Sequence, residues 1–143
     1  MATVNAQLES GTQTTISARQ FSWLADEPLA AGGTDEGPTP YEILLGALAA
    51  CITTTLRLYS DHKGIPLQGV DVSLEFDRVH ADDCLECDNP SGGVIDRIKT
   101  NITLRGTFDD AQRTRLAQVA ERCPVHRTLA RGIQIFDSVS FEP

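Results

Sequence analysis

The chain is poor in positive charge. Its 143 residues carry 12 lysines and arginines against 20 aspartates and glutamates, a formal net charge of −8. This argues against DNA or RNA as a partner, because phosphate backbones are bound through a cationic face. The N-terminus, Met-Ala-Thr-Val-Asn-Ala-Gln-Leu-Glu, has neither a basic region nor an apolar h-region. No export signal is visible, and the cytoplasm is the expected compartment. The apolar run from Ile43 to Ile52 is shorter than the roughly 20 residues that a bilayer span needs, so no membrane partner is expected. Internal repeats, low-complexity tracts and linkers are absent, and at this length a single domain over residues 1–143 is the simplest reading. Only one C-x-x-C occurs, with no second C-x-x-C and no H-x-x-x-H, which falls short of a four-coordinate structural zinc site. No cofactor or metal is implied.

What is present is organised around Gly37-Pro-Thr-Pro-Tyr-Glu-Ile-Leu-Leu-Gly-Ala-Leu-Ala-Ala-Cys51. Thr39 suits an N-cap, Pro40 the first helical position, and Glu42 completes a capping box. The following run has no charge and no polar face, which predicts a helix covered by protein on all sides. Gly64 and Pro66 supply the stop, so the helix should span about residues 40–62, with Cys51 near its middle.

Before this helix, residues 2–9 and 13–24 suit a β-hairpin turning at Gly11, and residues 25–38, rich in glycine and proline, must be irregular. After it, Val70, Val72, Leu74 and Phe76 alternate as in a half-buried strand, and Ile98, Thr100, Ile102 and Leu104 suggest its antiparallel neighbour. The connection over residues 80–93 is read as exposed and holds Cys84 and Cys87. Asp109 and Gln112 cap a second helix that ends near Cys123; Pro124 disfavours helical geometry before it, and Val125 to Arg131 form a third, short helix closed by Gly132. Ile133, Ile135, Val139 and Phe141 fit a last strand with a slip at Phe136 and Asp137. Helices and strands are segregated along the chain, which favours an α+β fold over a parallel sheet.

On periodicity alone, Cys51 and Cys123 behave as small core hydrophobes. Cys123, followed by proline at a helix start, also occupies a position where the helix dipole lowers a thiol pKa, with His126 three residues on. Local reasoning therefore favours Cys123 as the reactive thiol. Cys84-Leu85-Glu86-Cys87, with His80 nearby, is open to three readings: surface-loop cysteines, adventitious zinc, or an auxiliary redox pair. Tyr59 and Trp23 are read as packing residues, and His62 as a dipole partner at a helix C-terminus.

The Gly37–Cys51 stretch and Arg122-Cys123-Pro124-Val125-His126-Arg127 resemble the two cysteine motifs of the OsmC/Ohr family. Residues 24–28, with Gly32, Gly33, Thr34 and Asp35, are similar to its OsmC-like branch. The resemblance covers nearly the whole chain. It implies antiparallel sheets packed around a long central helix in an intertwined homodimer, and a thiol-dependent peroxidase acting on hydroperoxides. Cys51 would be the peroxidatic thiol and Cys123 the resolving thiol, joined after turnover in a disulfide that a dithiol such as a lipoylated protein reduces. Burial alone raises a thiol pKa, and Cys51 lies about three turns beyond Pro40, so a cation must be supplied. By resemblance this is an arginine of the N-terminal strands, and Arg19 is the only lysine or arginine before Arg57. The family's carboxylate partner for that arginine falls at Tyr41, and Glu42 points about 100° away, consistent with a capping role. The rival from another class is a non-catalytic domain of this fold that binds an apolar ligand or a protein.

Overall fold

In the computed structural model, residues 1–85, 87 and 92–143 are described. They form two compact units, residues 1–47 with 74–99 and residues 48–73 with 100–143. The first helix and a long two-stranded sheet each contribute to both.

In the first unit, β1 (Asn5–Gln7), β2 (Thr14–Ala18) and β3 (Phe21–Ala25) make an antiparallel sheet in the order β1-β2-β3. Asn5 lies opposite Ser17, and Thr14 opposite Ala25. The single hairpin read from the sequence is thus a three-stranded meander. Its second turn falls at Arg19 and Gln20, where Arg19 takes φ 55°. A left-handed residue cannot continue a strand, which is why residues 13–24 divide in two.

Residues 26–39 carry the chain from β3 to the helix, and one buried carboxylate ties them together. Asp26 accepts hydrogen bonds from the hydroxyls of Thr12 and Thr34, both at 2.5 Å. It also accepts from the backbone N–H groups of Glu27 at 2.7 Å and Glu36 at 3.1 Å. Its own N–H donates to the Pro38 carbonyl. Two close approaches demand glycine here: a Cβ on Gly33 would meet the Glu27 carbonyl oxygen at 1.9 Å, and one on Gly37 would meet that of Leu24 at 2.6 Å.

α1 (Pro40–Lys63) begins with the expected reciprocal cap, Thr39 N–H to Glu42 at 2.8 Å and Glu42 N–H to the Thr39 hydroxyl at 3.2 Å. It ends at Gly64, φ 65°, with the Ile65 N–H reaching back to the Ser60 carbonyl at 2.9 Å. By length and composition α1 could cross a membrane, because uncharged residues continue past Ile52 to Leu56; the sequence estimate of a shorter run is corrected. The expectation of cover on all sides is corrected too. Leu48, Ile52, Leu56 and Ser60, spaced by four, are buried, whereas Ala47, Ala50 and Leu58 are exposed.

β4 (Leu67–His80) and β5 (Val94–Gly106) pair as a two-stranded sheet. The pairs Asp71–Arg105, Asp77–Arg97 and Arg78–Asp96 step in opposite directions along the strands, as an antiparallel register requires. Tyr41 stacks on Phe76 with ring centroids 4.4 Å apart. Within the connection between these strands, residues 86 and 88–91 lie outside the described residues.

In the second unit, α2 (Asp110–Ala120) carries the Asp109–Gln112 capping box and buries Leu116, Val119 and Ala120. It stops three residues earlier than the sequence suggests. α3 (Pro124–Arg131) follows. Tyr59 does more than pack, since its hydroxyl accepts from Arg115 at 2.9 Å and its ring lies beneath that guanidinium. Residues 133–143 form no strand within the single chain, correcting the sequence reading. Their apolar side chains lie open, from Ile133 at 59% exposed to Phe141 at 92%. A strand needs a neighbour to hydrogen-bond, and alternation in the sequence cannot say where that neighbour comes from.

The Thr12 and Thr34 hydrogen bonds hold the Asp26 carboxyl far below the ordinary carboxylate range, against the opposing effect of burial. A carboxyl whose folded pKa is depressed stabilises fully above its unfolded value and loses that contribution as pH falls through the folded value. Asp26→Asn should therefore lower the melting temperature at neutral pH and flatten its decline below about pH 4. Thermal melts across pH check this, and superimposable acid limbs in the two proteins would contradict it.

Candidate active site

Cys51 and Cys123 meet in the second unit. α1 supplies Cys51 from its middle turns, where the thiol is partly exposed. The Cys-Pro joint supplies Cys123, which is 0% exposed. Pro124 fixes this placement. It disfavours helical geometry at the residue before it, so Cys123 adopts φ −61°, ψ 140° and becomes the N-cap of α3. The Cys123 sulfur then accepts the His126 backbone N–H at 3.2 Å. His126 thus acts at this sulfur through its backbone N–H.

Both thiols are free, and Cys51 lies close enough to Cys123 to influence its acidity. Opposing effects act on Cys123. Burial pushes its pKa up and is the largest influence, and the hydrogen bond and charge of Cys51 push the same way. The N–H groups of His126 and Val125 pull it down. Burial wins, and the Cys123 thiol lies above its ordinary value. Local sequence reasoning pointed the other way, because it weighed the helix N-terminus without the cost of a fully enclosed thiolate. Cys123 is the enclosed member of the pair, and Cys51 the member that solvent can reach.

Arg19, the expected cation, belongs to the first unit. It sits in the β2–β3 turn with its guanidinium 5.0 Å from the Phe21 ring centroid. Tyr41, at the position where the resemblance implies a carboxylate, is occupied in its stack with Phe76. Glu42 is committed to the α1 cap.

Cys84 and Cys87 are joined in a disulfide, with Cα atoms 5.5 Å apart. A turn at Ala81–Asp83 leads into Cys84, whose carbonyl accepts the Cys87 N–H at 3.4 Å. Bonded to each other, the two sulfurs are unavailable as thiolate ligands. Among the described residues no group of three or more potential metal ligands occurs. His80 is engaged locally, its Nδ1 accepting the Asp82 N–H at 3.3 Å. Sequence reasoning missed Arg97, whose Nη1 lies 3.8 Å from the Cys84 sulfur. A cross-strand neighbour 13 residues away leaves no local signal.

Residues 33–136 match the OsmC family, described as OsmC-like protein, and the chain belongs to this family. No curated protein matches the chain in sequence. Among solved structures, an OsmC-like protein from Mycoplasma pneumoniae aligns with TM-score 0.71 at 22% identity, over 91% of this chain and 87% of that one. An organic hydroperoxide resistance protein OsmC from Legionella pneumophila aligns with TM-score 0.62 at 16% identity, over 89% and 87%. An organic hydroperoxide resistance protein from Elizabethkingia anophelis gives 0.62 at 15%, over 92% and 89%. The fold is the α+β OsmC-like fold, with antiparallel sheets and a long helix midway along the chain. α1 is the long helix of that fold.

Alkylation follows thiolate fraction and access, so iodoacetamide should label Cys51 several-fold faster than Cys123 in the reduced native protein. Time-resolved peptide mass spectrometry reads this order. Equal rates, or Cys123 first, would contradict the difference in access that burial sets.

Proposed function

We propose that the protein is a thiol-dependent hydroperoxide reductase using Cys51 as the peroxidatic and Cys123 as the resolving thiol. The observation that carries this reading is the pair of free, neighbouring thiols, one reachable and one enclosed. The Cys51 thiolate attacks the terminal oxygen of a hydroperoxide. The O–O bond breaks, the alcohol leaves with a proton, and Cys51 becomes a sulfenic acid. Cys123 then attacks the Cys51 sulfur, water departs, and a Cys51–Cys123 disulfide remains. A dithiol, such as a lipoylated protein, restores both thiols by exchange and is itself oxidised to a disulfide.

Arg19 is assigned as the cation that stabilises the Cys51 thiolate. It is the only basic side chain before Arg57, and α1 brings Cys51 no help from its own N-terminus, about three turns away. We read residues 1–143 as one domain, because α1, β4 and β5 each run through both compact units, and we place it in the cytoplasm. The working form is assigned as a homodimer. Support comes from apolar side chains that one chain leaves open, Leu58 on α1 and Ile133, Ile135, Phe136, Val139 and Phe141 in the tail.

Steady-state reduction of an alkyl hydroperoxide with a dithiol donor tests the scheme. Cys51→Ser should abolish turnover. Arg19→Ala should lower the rate constant for peroxide about 10- to 100-fold and move its pH profile upward, equivalent to about 1–3 kcal/mol of thiolate stabilisation. The active species should sediment at twice the mass of one chain. Full activity in Cys51→Ser would contradict the role of Cys51, and no turnover by the unmodified protein would instead assign a non-catalytic domain that binds an apolar ligand or a protein.

A further inference from the structure

The Cys84–Cys87 disulfide has a directional environment that the peroxidase chemistry does not use. Cys84 is 7% exposed, whereas Cys87 is more open. The Arg97 guanidinium is held by two bonds to Asp77, Nε to Oδ1 at 2.8 Å and Nη2 to Oδ2 at 2.5 Å. Nη1 of the same guanidinium lies 3.8 Å from the Cys84 sulfur. Arg97 in turn holds the Asp77 carboxyl below its ordinary pKa, so the pair stays charged. Both cysteines, together with Asp83, Arg97 and Lys99, line a cleft of about 510 Å³. A disulfide that closes two intervening residues removes little entropy from the unfolded chain, since that stabilisation grows with loop length. Structural stapling is therefore a weak reason for its presence.

We propose that Cys84–Cys87 is a second thiol–disulfide exchange site, which accepts electrons from a small dithiol at Cys87 and releases Cys84 as a thiolate beneath Arg97. Exchange proceeds by thiolate attack on one sulfur, and its rate rises as the leaving thiol becomes more acidic. Cys87 is the accessible sulfur, and Cys84 is the one with a cation in place. A donor thiolate attacks the Cys87 sulfur, the S–S bond breaks, and its electron pair goes to Cys84. The donor's second thiol then displaces Cys87 from the mixed disulfide. Two electrons and two protons pass from donor to protein, leaving Cys84 and Cys87 as thiols and the donor as a cyclic disulfide. The reverse exchange with a disulfide of the same class reoxidises the pair. Neither step involves Cys51 or Cys123.

The test uses the full chain under native conditions, with dithiothreitol as the dithiol and glutathione as a monothiol that halts at the mixed disulfide. Acid-quenched, alkylated peptides report Cys84 and Cys87 separately from Cys51 and Cys123. Dithiothreitol should reduce Cys84–Cys87 without denaturant, and the glutathione adduct should sit on Cys87. Arg97→Gln should slow reduction about 3- to 10-fold, the effect of one to two pKa units on the leaving thiol, and Arg97→Lys should restore most of the rate. A substitution that merely loosened the loop would accelerate reduction instead. Resistance to dithiothreitol until unfolding, an adduct on Cys84, or an equal or faster rate in Arg97→Gln would each overturn the proposal.

Discussion

The contact between the Cys51 and Cys123 thiols is the constraint on which the functional account depends. It requires one helix to carry a thiol to a partly exposed position midway along its length and a second chain segment to bring another there from below the surface. Pro124 does the second part by forcing the preceding residue out of helical geometry. The Cys123 sulfur then takes the place of a capping oxygen and receives the His126 N–H. Two features with opposite effects on acidity, a helix N-terminus and full enclosure, meet at the same atom. Enclosure dominates, and it gives two residues with the same side chain different surroundings.

Elsewhere in the chain, polar groups do the positioning that apolar packing cannot. Asp26 draws together the end of the β1–β2 connection, the segment after β3 and the approach to α1. Gly33 and Gly37 allow the backbone to pass close to Glu27 and Leu24 on the way. The loop therefore arrives at Thr39 in a defined direction, and the reciprocal cap starts the helix there. On β4 and β5 the Asp77–Arg97 pair has a comparable role, fixing a guanidinium against a sulfur.

Features governed by residues close in sequence were legible before the structure. Both capping boxes, the stop at Gly64, the Cys-Pro joint and the strand alternation from Val70 and Ile98 all appear where the residues place them, because each is decided within about four positions. Failures have one common cause, dependence on residues that are distant or absent from the pattern. The acidity of Cys123 turned on burial, which no local window reports. The Arg19 turn divided an apparently continuous strand. The alternating tail from Ile133 to Phe141 lacks a strand partner in the single chain. The disulfide at Cys84–Cys87 was within reach of the C-x-x-C spacing, whereas its arginine neighbour was not. Recognition of the family supplied the pairing of Cys51 with Cys123, which periodicity alone had left as two core positions.

The account's central claim is an order of events at two sulfurs, and trapping the first oxidised species tests it most directly. The reduced protein would be treated with one equivalent of an alkyl hydroperoxide in the presence of dimedone, which captures sulfenic acids, and the adduct located by peptide mass spectrometry. The account predicts dimedone on Cys51, with a Cys51–Cys123 disulfide in the remaining molecules and a larger Cys51 adduct in Cys123→Ser. Dimedone on Cys123 alone, or no oxidation of either thiol, would contradict it.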